Sequence, residues 1–215
     1  MPFYEQLLLA TVGEREALFA RPVIRQTLAG DVSRTRYLAF LEQAYHHVRH
    51  TVPLMMSCGS RVAESHPWLL PAIRAYIDEE IGHEQWILDD IAAAGGDPTA
   101  VRGGEPAYHT ELMLAYAYDG IARRNPLAFF GMVLVLEGTS TALATQAAAI
   151  VQGQLALPDA AFTYLRSHGA LDLEHVQYFA RLMDQLHDAA DQHAIIHAAR
   201  RFYRLYGDLL NQLPQ

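Results

Sequence analysis

The chain has 215 residues, 51% of them apolar, and a formal charge of −8. That composition excludes a disordered chain, and the acidic balance argues against a nucleic-acid partner, which needs a positive face. A single cysteine, Cys58, excludes an internal disulfide and a zinc finger, so any metal must be held by His, Asp and Glu.

Helical periodicity runs through the chain, and no sustained alternating pattern marks a strand. A first amphipathic helix covers about 3–20, and Pro22 ends it. A short helix follows near 23–29. Ser33 reads as the N-cap of a long helix carrying Tyr37, Phe40, Leu41, Tyr45 and Val48, which Pro53 kinks or interrupts before a further piece to about 64. Pro67 opens a helix through about 94, closed by Gly95-Gly96. Residues 97–105 read as a loop, and a helix near 106–122 follows. Asn125-Pro126 caps a helix to about 152, Gly153 to Pro158 forms a turn, and helices at 159–188 and 190–211 complete the chain. The expected fold is all-α: one domain, 1–215, folded as a compact bundle of seven to eight helices. With no signal peptide and no 18-residue apolar run, a cytoplasmic protein that does not engage membranes is expected.

Four helices carry the chemistry. Glu137 sits in the middle of GMVLVLEGTSTALATQAAAIV, a run apolar on almost all sides and therefore expected to be buried. A buried carboxylate costs several kcal/mol or more unless it is paired, protonated or on a metal. His168, Asp172 and His175 follow at offsets of four and three, within about 40° of one helix face. Glu80 and His83 repeat the carboxylate-x-x-His step, with Glu79 competing for the carboxylate. Glu42 is the fourth acid, with His46 the next choice in a helix that also carries His47 and His50. The order acid, acid-x-x-His, acid, acid-x-x-His is the ligand logic of di-iron carboxylate bundles, in which several helices aim acids at a shared axis.

The string His168-x3-Asp172-x2-His175, with Glu137 about thirty residues earlier, resembles the haem-oxygenase-like di-metal oxidases and oxygenases. PVIRQTLAGDVSRTRYLAFLEQAYHHV is similar to the second and third helices of that superfamily, which includes thiaminase II-like and pyrroloquinoline-quinone-synthase-like proteins. The resemblance implies a haem-oxygenase-like bundle holding one or two Fe(II) ions, or manganese, with dioxygen as co-substrate. His83, Glu137 and His168 would serve one metal, Asp172 and His175 the other, and Glu80 and Glu42 would bridge or complete them. The implied function is oxidation of a small organic molecule: a fatty acid, an amino acid or an aromatic precursor. The alternative is a metal-free thiaminase II-like or quinone-synthase-like protein. Cys58 lies too early for the late-helix nucleophile a thiaminase II-like enzyme needs. Helix exteriors with Leu, Ala and Tyr suggest a homodimer.

Overall fold

A computed structural model of the chain describes the backbone of every residue except Leu171 and Gln215, and the side chains of all but residues 168–175 and 215. Among the described residues every regular element is helical. The chain forms α1 (Phe3–Ala10), α2 (Val12–Phe19), α3 (Pro22–Leu28), α4 (Arg34–Val48), α5 (Thr51–Val62), α6 (Leu70–Glu80), α7 (His83–Ala93), α8 (Pro98–Gly103), α9 (Tyr108–Arg123), α10 (Phe129–Leu155), α11 (Thr163–Ala170), α12 (Asp172–Met183) and α13 (Ala189–Asn211). Short 3-10 turns precede α6, α10 and α11.

There are more segments than the expected seven to eight because several long helices are broken. The first splits at Thr11, whose hydroxyl donates to the Leu7 carbonyl at 2.8 Å. The α4–α5 break falls at Arg49–His50, ahead of Pro53, which sits in the first turn of α5, where a missing N–H costs nothing. The 97–105 segment holds a short helix where a loop was expected: Asp97 caps it, its Oδ1 accepting from Thr99 and Ala100 N–H, and Pro98 takes the first position. Ser33 caps α4 as expected, its hydroxyl accepting from Arg36 N–H at 3.1 Å.

Two apolar cores flank the middle of α10. One gathers Leu7, Leu54, Met113, Ile121, Phe130 and Phe202; the other gathers Tyr37, Leu41, Ile87, Ile91 and Phe162. α10 enters the first core with Phe129 to Val135 and the second with Ala144, Ala148 and Val151. Each large apolar side chain so buried contributes about 1.5–3 kcal/mol of transfer free energy. The expectation of a wholly buried helix holds only for its first third: Ala142, Thr145, Gln146 and Ala149 are exposed. By length and composition Pro126–Leu155 could cross a membrane, yet it packs against α3, α9, α11 and α13. At its crossing with α13 a Cβ on Gly131 would lie 2.6 Å from Ala199 N, so only glycine permits that approach. Glu137 lies in the seam between the two cores, with Thr139, Ser140 and Thr141 beside it.

Candidate metal centre

Glu80 and His83 meet by a turn rather than along one helix. α6 ends at Glu80, and α7 begins at His83. Between them Ile81 has φ −60°, ψ 120° and Gly82 φ 93°, ψ −5°, the angles of a type II turn, which needs glycine at its third position. The single helix expected through 94 is therefore broken here, because Gly82 adopts a left-handed conformation that closes α6. The consequence is chemical. Glu80 Oε2 accepts from His83 Nδ1 at 3.2 Å, and the imidazole is 4% exposed. A carboxylate on Nδ1 fixes the tautomer with its lone pair on Nε2, the nitrogen suited to a metal. The Trp86 ring covers the imidazole, centroids 4.0 Å apart. Glu79 is exposed, and of the two candidate acids Glu80 is the one seen bonded to the imidazole.

Glu137 approaches the same region from α10. The Tyr76 phenol is buried, and its pKa is driven up first by desolvation and then by the charges of Glu137, Tyr178, Glu79 and Glu80. Two of the proposed ligands, from α6 and α10, thus act on one buried hydroxyl. Glu80 also acts on Tyr164 of α11, whose phenol desolvation pushes well up. His47, Tyr76, Glu79, Glu80, His83, Glu137, Thr141 and Tyr164 all take part in polar, ring or electrostatic interactions.

Glu42 is half-buried on α4. At about 100° per residue it points some 140° away from His47 on α4. It is His47 that lines the cavity beside the centre, 4% exposed and edge-on to Tyr206 with centroids 6.3 Å apart. His46 lies on the side nearer Glu42, its Nε2 buried with no hydrogen-bond partner among the described residues. The signal that singles out His47 is its stripe: Arg36, Phe40 and His47 repeat at helical spacing on the face that carries Tyr37.

His168, Asp172 and His175 lie outside the described side chains. Their helices are placed: α11 packs on α10 and α7, and α12 packs on α1 and α10. Among the described residues no three His, Cys, Asp or Glu groups cluster tightly enough to hold an ion on their own. The donors that do converge are imidazole nitrogen and carboxylate oxygen, which suit iron, manganese or zinc rather than soft copper.

Beside the centre runs a cavity of about 140 Å³, comparable with cavities that admit a benzene-sized guest. Leu136, Thr139, Leu143, Ala144 and Val151 of α10 line it, as do Arg36, Phe40 and His47 of α4. Tyr116, Tyr118, Phe129 and Phe130 do not line it: the two phenylalanines are core, and Tyr118 bonds His50.

Solved structures share this fold. A domain of unknown function with a haem oxygenase-like fold from Shewanella denitrificans aligns with TM-score 0.87 at 20% identity, over 99% of this chain and 92% of that one. A TenA homologue from Pseudomonas syringae pv. tomato aligns with TM-score 0.80 at 12% identity, over 99% and 93%. The haem oxygenase of Leptospira interrogans aligns with TM-score 0.76 at 15% identity, over 99% and 100%. No protein of curated function matches. The family model described as iron-containing redox enzyme matches residues 38–207, from the cavity face of α4 into α13, and the chain belongs to that family.

Proposed function

We propose that this protein is a non-haem iron-dependent oxidase or oxygenase acting on a small organic substrate. The observation that carries the reading is Glu80 bonded to His83 while Glu80 and Glu137 act together on the Tyr76 phenol. Carboxylates from α6 and α10, one of them bonded to the α7 imidazole, thus lie within electrostatic range of one buried phenol. Fe(II), as one or two ions with manganese as the alternative, would be held by His83 and Glu137, with His168, Asp172 and His175 completing the set and Glu80, bonded to His83 Nδ1, orienting that ligand. When bound, iron supplies one-electron chemistry toward dioxygen that protein side chains lack.

The protein's own groups have definable tasks. Glu80 orients His83 through Nδ1, and Trp86 shields the ring from water. Tyr76 and Tyr164, held protonated by desolvation, keep a proton at neutral pH that they can donate in a hydrogen bond. Apolar walls from α4 and α10 keep the substrate dry, which protects a reactive oxidant from side reactions. A fatty acid, an amino acid or an aromatic precursor is the substrate class.

A metal-free, TenA-like chemistry is the competing reading. It finds no thiolate here. Cys58 is fully buried, its S–H donates to the Pro126 carbonyl at 3.4 Å, and burial pushes its pKa up to about 12.

We take the protein to work in the cytoplasm, as a homodimer, on a diffusible substrate and without nucleic acid or membrane. Tyr108 and Leu112, exposed and one turn apart on α9, offer an apolar patch for pairing, which light scattering of the purified protein would test. The functional test is anaerobic loading with Fe(II), then oxygen consumption with each candidate class. Substrate-dependent uptake that a chelator abolishes supports the reading. Turnover that survives the chelator overturns it.

A further inference from the structure

The cavity has two unlike ends. Gly30, just ahead of α4, abuts Gln154 near the end of α10, so the start of α4 lies at the C-terminal end of α10. Arg36 and Val151 line the cavity at that end; His47, Leu136 and Thr139 line the other. Arg36 to His47 is eleven helical residues, roughly 16 Å. Glu137 adjoins Leu136 at the second end without lining the cavity itself, its direction on α10 about 20° from that of the lining residue Ala144.

Arg36 is the feature without an explanation. It is 6% exposed. Its Nε and Nη1 donate to the carbonyls of Pro214 and Asp31 at 2.9 and 2.8 Å, and both acceptors are neutral. Among the described residues no carboxylate pairs with it, and Nη2, bonded to none of them, keeps some access to solvent. A buried guanidinium with no counter-charge is costly, and its planar fork matches a carboxylate. The remaining walls between the ends are mostly apolar, and at the far end the Thr139 hydroxyl is buried with no hydrogen-bond partner among the described residues.

From this geometry we propose that the cavity binds an unbranched carboxylic acid with its carboxylate on Arg36 and its chain running along α10 toward Thr139. The carboxylate would supply a counter-charge that no described residue gives Arg36. The roughly 16 Å between its two ends suits an extended chain. The proposal deepens the reading above and rests on it only for what happens at the far end: the carbons brought beside Glu137 are those remote from the acid group, so head group and reacting carbon sit at opposite ends of the cavity.

Octanoate and 1-octanol, with equal chains and different heads, are the probes. Calorimetry on the metal-free protein separates this test from the iron test, since octanoate can bind with or without an iron centre. Wild type should bind octanoate at least tenfold more tightly than octanol. Arg36→Met should erase that preference while octanol binding stays within threefold. Arg36→Lys, which keeps the charge and guards against a folding defect in Arg36→Met, should keep most of the preference. Ala144→Phe, which fills the slot between its ends, should weaken both ligands at least tenfold. Equal binding of the two probes by wild type, a preference that survives in Arg36→Met, or binding unaffected by Ala144→Phe would overturn the proposal.

Discussion

Glu80 Oε2 and His83 Nδ1 stand 3.2 Å apart across a two-residue turn, Ile81-Gly82, that ends one helix and starts the next. An acid and a histidine three apart along an unbroken helix would share a face only as neighbours. Here the turn directs the carboxylate at the ring, fixes the imidazole tautomer, and leaves Nε2 as the nitrogen for a cation.

Glu80→Gln should weaken iron binding about 10- to 100-fold, the usual cost of disturbing a group that orients a ligating histidine. Glu79→Gln, at an exposed position one residue earlier, should stay within threefold of wild type. Competition with a calibrated Fe(II) chelator measures both.

Gly131 and Gly153 lie on the same helix and should respond in opposite directions. A methyl on Gly131 meets Ala199 N at 2.6 Å and Ile195 O at 2.8 Å, so Gly131→Ala should destabilise by about 1–3 kcal/mol. Gly153 has open space, and Gly153→Ala should stabilise by about 0.5–1 kcal/mol through helix propensity. Urea unfolding followed by circular dichroism reads both.

Asp90 ties α7 to the start of α11. Its two oxygens accept from Thr163 N–H at 3.0 Å and Tyr164 N–H at 2.9 Å, and the residue is wholly buried. Asp90→Ala strands those donors and should cost about 1–3 kcal/mol. Because the helix it anchors carries Tyr164 and His168, the same variant should also bind iron more weakly, which a merely local defect would not produce.

His50 gives the stability a pH dependence of known sign. Burial, then the Arg49 charge, holds its pKa below the ordinary 6.5. Its Nδ1 lies 2.9 Å from the Tyr118 hydroxyl, which can donate only to a neutral ring. The unfolded chain therefore takes up a proton near pH 6.5 that the folded state resists. Stability contributed by the neutral ring is present above 6.5 and is lost as pH falls through that value toward the folded pKa. In His50→Gln the slope of unfolding free energy between pH 7 and pH 5 should be shallower than in wild type.

The all-helical architecture is legible in the sequence because 3.6-residue periodicity, Ser33, Asn125-Pro126 and Gly95-Gly96 are local signals, and each appears in the structure where it was expected. The breaks are not so legible. Gly82 inside an acidic helical pattern reads as a tolerated glycine, and only its φ of 93° marks the turn. Glu137 and Glu80–His83 are singled out by type and spacing, since acids beside apolar runs are unusual. Glu42 is chosen because the spacing Glu42–His46 imitates a ligand pair, whereas the face of α4 that meets the cavity is set by packing on α7 and α9, a long-range fact. Arg36 is missed for the same reason. In sequence it looks like one more surface cation. Other arginines are occupied elsewhere, Arg123 and Arg124 with Asp119 and Arg200 with the Ala10 carbonyl.

The most direct test of the central claim is anaerobic Fe(II) titration of wild type, His83→Ala and Glu137→Gln, with circular dichroism confirming that all three are folded. The account predicts stoichiometric iron in wild type and at least 100-fold weaker binding in each variant. Iron bound equally well by folded His83→Ala and Glu137→Gln, or none bound by wild type, would contradict it.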